Sequence, residues 1–83
     1  MIKKEVNINS IEKAKEFSDL AMLINSDVKL CSKQGGYVID AKSIMGIFSL
    51  DLSKNVELVI SDPTEKDKEL IKKFDQFVVK STN

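Results

Sequence analysis

The feature that most constrains this chain is how often the spacing of its apolar residues changes. Within 83 residues the pattern switches repeatedly between a period of two, the mark of a strand with one buried face, and a spacing of three to four, the mark of a helix with one buried side. Ile2, Val6 and Ile8 share one parity, with polar Lys3, Glu5 and Asn7 between them, and predict a first strand. Ile11, Ala14, Phe17, Ala21 and Ile24 recur at helical spacing. Asn9 or Ser10 can cap that helix, Glu12 lies three residues after Asn9 as in a capping box, and the helix is expected from about Ser10 to Ile24.

The remaining elements follow closely. Val28 to Ser32 and Tyr37 to Ala41 are strand-like runs on either side of Lys33, Gln34, Gly35 and Gly36, a loop whose glycines permit the positive φ angles of a hairpin turn. Ser43 precedes Ile44, Met45, Ile47, Phe48 and Leu50, and so predicts a short capped helix that is apolar on more than one side. Val56, Leu58 and Ile60 alternate as a fourth strand. Asp62 as N-cap, Pro63 at the first helical position and Glu65 at the third predict a last helix with Leu70, Ile71, Phe74, Phe77 and Val78 on one face. The order is β-α-β-β-α-β-α. Amphipathic helices need a sheet face to cover, and four half-buried strands supply it, so an α+β layered fold is expected.

Length and composition exclude several classes of function. A chain of this size leaves no room for two independent cores, so residues 1–83 are expected to form a single domain. Thirteen lysines balance thirteen acidic residues, and there is no arginine. The electrostatic attraction and the bidentate fork that nucleic-acid binding draws on are both missing, and no anionic membrane surface is favoured. No apolar run approaches the roughly 20 residues of a membrane span, and the opening residues alternate instead of forming a signal-peptide core. A cytoplasmic location is expected, and lone Cys31 fits a reducing compartment.

Candidate chemistry is sparse. With no histidine and one cysteine, no metal constellation can be assembled, no cofactor is implied, and no catalytic residue stands out. Cys31 reads as a small buried hydrophobe in a strand. Gly35-Gly36 lacks the pattern of a phosphate-binding loop. Glu65, Asp67, Glu69 and Asp75 are interleaved with lysines, as on a solvated helix face.

One stretch carries a family resemblance. Asp40-Ala41-Lys42-Ser43-Ile44-Met45-Gly46-Ile47-Phe48-Ser49-Leu50 is very similar to the regulatory serine and second helix of HPr, the phosphocarrier of the bacterial sugar phosphotransferase system, especially its Gram-positive form. The resemblance implies an open-faced β-sandwich, with helices on one side of a four-stranded antiparallel sheet. It also implies that Ser43 is phosphorylated by an ATP-dependent HPr kinase, and that Ile44, Met45 and Phe48 contact partners such as the kinase, a catabolite-control regulator or phosphotransferase components. The alternative for Ser43 is an ordinary helix cap. Ile47 and Leu50 read as core.

The chain departs from that family where the carrier histidine should stand. The segment Asn9-Ser10-Ile11-Glu12-Lys13-Ala14 is several residues shorter, with Ser10 near the histidine's place. A serine phosphate is too stable to be handed on as a phosphohistidine's is, and Glu12 would repel it. Ser10 therefore reads as a helix cap. The expected protein is a non-enzymatic HPr-like regulator or adaptor of carbon use that docks partners through its second helix, with Ser43 as its switch. The alternative is an interaction module with the same fold and no phosphorylation.

Overall fold

The computed structural model describes residues 1–33 and 36–79. Strand β1 (Ile2–Val6) leads into helix α1 (Ile11–Met22). Strands β2 (Val28–Ser32) and β3 (Val38–Asp40) follow, then helix α2 (Ile44–Phe48), strand β4 (Val56–Ile60) and helix α3 (Glu65–Ile71), which tightens into a 3-10 turn at Lys72–Phe77.

The four strands form one antiparallel sheet in the order β1-β4-β2-β3. Register decides which side chains share a face. Val28 pairs with Ile60, Leu30 with Leu58, and Val6 with Val56, and these six are buried together. Residues of the opposite parity, Lys29, Cys31, Glu57 and Val59, stand half-exposed on the other face. The helices cover the first face and leave the second open, the expected α+β architecture. Cys31, expected as a buried hydrophobe, is instead half-buried on the open face, in register with Glu57 and Val38.

The helices contribute Ala14, Phe17, Leu20, Ala21, Ile47, Ile71, Phe74 and Phe77 to the core. Phe17 is its centre, with its ring centroid 4.9 Å from that of Phe74 and 5.0 Å from that of Phe77, both at tilted angles. Such pairs add about 0.5–1.5 kcal/mol beyond the area they bury. The chain after Phe77 returns to the outer edge of β1. There Asn7 N–H donates to the Phe77 carbonyl and Val79 N–H to that of Glu5, each at 2.9 Å, satisfying part of an otherwise open edge.

Several sequence expectations need correction. Ser10, not Asn9, caps α1: its Oγ accepts from Lys13 N–H at 3.1 Å, and no capping box forms between Asn9 and Glu12. Ile11 is 71% exposed and lies off the buried stripe. The last helix starts two residues later than expected. Asp62 takes a positive φ of 46°, so the chain turns there, and Thr64 becomes the N-cap, with Asp67 completing a capping box. The strand expected from Tyr37 to Ala41 shortens to Val38–Asp40. In the hairpin turn, Gln34 and Gly35 lie outside the described residues, while Gly36 has the positive φ, 69°, that the loop demands.

Candidate functional site

Ser43 sits where an extended backbone becomes a helix, at φ −99° and ψ 113°. The turn before it is fixed by two bonds to Asp40, whose carboxylate accepts from Lys42 N–H at 2.9 Å and whose carbonyl accepts from Ser43 N–H at 3.0 Å. From the core side, buried Ser18 of α1 donates its hydroxyl to the Lys42 carbonyl at 3.2 Å. Ser43 Oγ accepts from Gly46 N–H at 3.2 Å, so the serine is a working N-cap. Its side chain is exposed, as the hydroxyl of a phosphoacceptor must be.

Helix α2 is five residues long, and that length limits what it can bury. Ile47 points fully into the core and Leu50, just past the helix, is also buried. Met45 is 74% exposed and Phe48 40%. Ile44 is half-buried and packs against the core, so it divides its surface between the interior and the outside. The three expected docking residues are therefore not equivalent: Met45 and Phe48 form the exposed part and Ile44 its anchored edge. A Cβ added at Gly46 would lie 3.4 Å from the Asp40 carbonyl and 3.6 Å from Ile39 Cβ, so α2 sits close upon the end of β3.

Ser10 holds the equivalent position on α1. It is half-buried, with φ −149° and ψ 159°, and its hydroxyl is engaged by Lys13 N–H. The first turn of α1 carries Glu12 and an exposed Ile11. The sequence holds no histidine, so no imidazole can stand beside it.

Asp67 is the polar residue that sequence reasoning misplaced. It is buried, not solvated, and its carboxylate ties α3 to the connection between α1 and β2. Oδ1 accepts from Asn25 N–H at 3.0 Å. Oδ2 accepts from the backbone N–H groups of Ser26 and Thr64, each at 3.3 Å, and lies 2.8 Å from Ser26 Oγ. The bond from Asn25 is foremost in lowering its pKa from 3.8 to about 2, with Ser26 and Thr64 acting in the same direction against the cost of burial. The capping-box spacing Thr64-x-x-Asp67 was the one sequence signal that could have found it. This is a structural clasp.

Among the described residues, no group of three or more Cys, Asp or Glu side chains is placed to hold a metal ion, and no helix is long and apolar enough to cross a membrane. At α2 the arrangement is an exposed capping serine with Met45 and Phe48 exposed beside it.

The family model for the phosphorylation site of the phosphotransferase-system HPr component matches residues 2–80. Among solved structures, the crystal structure of HPr-C-His from Thermoanaerobacter tengcongensis superimposes with a TM-score of 0.73. It is 25% identical in sequence, over 94% of this chain and 91% of that one. No curated protein matches the chain.

Proposed function

The chain belongs to the HPr family, whose members are phosphocarriers that work on other proteins of the phosphotransferase system and are not enzymes, and on that premise we propose that this member is a cytoplasmic regulator or adaptor instead of a carrier. One observation carries the reading: a chain without histidine has kept an exposed serine capping α2, with Met45 and Phe48 exposed beside it. Phosphohistidine transfer needs an imidazole nitrogen. Ser10, near the histidine's former place, offers only a hydroxyl, whose phosphate ester is too stable to be handed on, and so cannot replace it.

In this reading Ser43 is the switch and Ile44, Met45 and Phe48 are the docking residues. A five-residue helix has little macrodipole, so a phosphate on Ser43 would be held chiefly by the N–H groups of the first turn, with Lys42 near by. An exposed pair with Lys42 adds little and weakens in salt. The larger consequence is a dianion beside Ile44 and Met45, which repels acidic partners and favours basic ones. A tenfold change in partner affinity, about 1.4 kcal/mol, is the expected scale.

A second reading keeps the fold and the docking surface but drops the phosphorylation, leaving an interaction module. Its support is that Ser43 Oγ is already used as the cap. The test is phosphorylation with localisation by mass spectrometry. HPr kinase with ATP should place one phosphate on Ser43 and none on a Ser43→Ala variant, whereas enzyme I with phosphoenolpyruvate should leave the chain unlabelled. If the kinase leaves Ser43 untouched, the module reading stands. Labelling by enzyme I would overturn both.

A further inference from the structure

We propose that the cleft at the end of the sheet, where β1 finishes and β4 begins, binds a neutral polyhydroxylated ligand of mono- or disaccharide size. The cleft encloses about 590 Å³, within the range of roughly 300–1,000 Å³ usual for small-molecule sites. It lies beyond the C-terminal end of α2 and uses neither Ser43 nor Met45 nor Phe48.

Its polar groups are already fixed by one another. Glu5 Oε1 lies 2.6 Å from Lys33 Nζ, and its Oε2 accepts from Asn55 Nδ2 at 2.7 Å. Asn55 Oδ1 in turn accepts from Asn7 Nδ2 at 2.8 Å. In the loop after α2, Asp51 Oδ1 accepts from the Ser53 hydroxyl at 2.6 Å and from its backbone N–H at 3.1 Å. Both carboxylates are thereby held ionised at lower pH than usual, Glu5 chiefly by Lys33 and Asp51 chiefly by the Ser53 hydroxyl. A preformed network spares a ligand the cost of ordering its site.

The residue types select the ligand. Carboxylates and an amide offer planar acceptors and donors with directions left to fill, and a hydroxyl group, both donor and acceptor, matches such a mixed set. Glu5 and Asp51 balance Lys33 and Lys54 among the described lining residues, so neither an anion nor a cation is drawn in by net charge. A phosphate would meet two carboxylates, and the ammonium of Lys33 is already engaged by one of them. Tyr37 supplies an aromatic surface. Its carbonyl is fixed by Ser32 N–H at 2.7 Å, yet the residue is 69% exposed, so its ring is free at the rim to stack on the apolar C–H face of a sugar ring. Leu50 and Val56 give the cleft apolar surface below.

The test is an amide NMR titration of the intact chain with glucose and with maltose, taken to several tens of millimolar, with inorganic phosphate as the contrasting probe. Saturable shifts with at least one of the sugars, confined to the neighbourhood of Tyr37, Asp51 and Asn55, are expected, and none there with phosphate. Tyr37→Ala should weaken sugar binding by about tenfold or more, Tyr37→Phe should retain it, and Asp51→Asn should weaken it with the loop turn intact. Absence of saturation with either sugar overturns the proposal. So does movement of the same amides by phosphate, or a Tyr37→Ala variant that binds as the parent does.

Discussion

Helix α2 and the last helical segment are both rich in large apolar side chains, and they dispose of them in opposite ways. Along α3 and its 3-10 extension, Ile71, Phe74 and Phe77 are buried and Leu70 is partly so. That segment is fixed at its start by a capping box and held to the loop after α1 by the Asp67 clasp. On α2 only Ile47 is fully buried, Ile44 is shared, and Met45 and Phe48 face out. One segment spends its apolar surface on the fold. The other leaves part of it exposed beside a solvent-facing serine, as the proposed docking role requires. A small core needs only one anchor from a five-residue helix, and the proposed docking role rests on the surplus.

The contrast can be broken by truncating equivalent side chains. Phe74→Ala should produce the largest loss, about 3–5 kcal/mol in denaturant unfolding, because it opens a cavity beside Phe17 in the fully buried core. A loss below about 1 kcal/mol would mean that the last segment is not the core anchor described above.

Acid should act on the same segment. With a folded pKa of about 2 against an ordinary 3.8, Asp67 contributes stability that is fully present above about pH 4 and is lost as the pH falls through about 2. The Asp67→Asn variant should be less stable at neutral pH and should lose less stability between pH 4 and 2. Parallel acid-unfolding curves for the two proteins would contradict the clasp. Thr64→Ala, which removes the cap and leaves Asp67 in place, should cost about 1 kcal/mol, a fall in melting temperature of about 4–8 °C for a domain of this size.

The same contrast bears on what the sequence could disclose. Strand positions were legible because burial on one face leaves a period of two, clear in Val56, Leu58 and Ile60. The cap of α2 was legible because Ser43 stands alone before an apolar run. The start of α3 was not, because two overlapping start signals, Asp62-Pro63 and Thr64-x-x-Asp67, compete, and only the positive φ at Asp62 decides between them. Asp67 looked solvated because its partners at Asn25 and Ser26 lie some forty residues away in sequence. Ile11 fitted a helical stripe by spacing, yet it occupies the first turn of α1, beyond the sheet surface that Ala14 and Phe17 cover. The cleft at Tyr37 and Asp51 had no motif, since it is assembled from the ends of three strands and two loops.

The measurement that bears most directly on the central claim is a paired one on Phe48→Ala, recording its unfolding free energy and the rate at which HPr kinase phosphorylates Ser43 at subsaturating protein. Because Phe48 is 40% exposed, stability should change by less than about 1 kcal/mol, while the phosphorylation rate should fall about tenfold or more, since the kinase loses an aromatic anchor beside its target. A loss of about 3 kcal/mol or more would show that Phe48 belongs to the core. An unchanged rate at unchanged stability would contradict docking through α2.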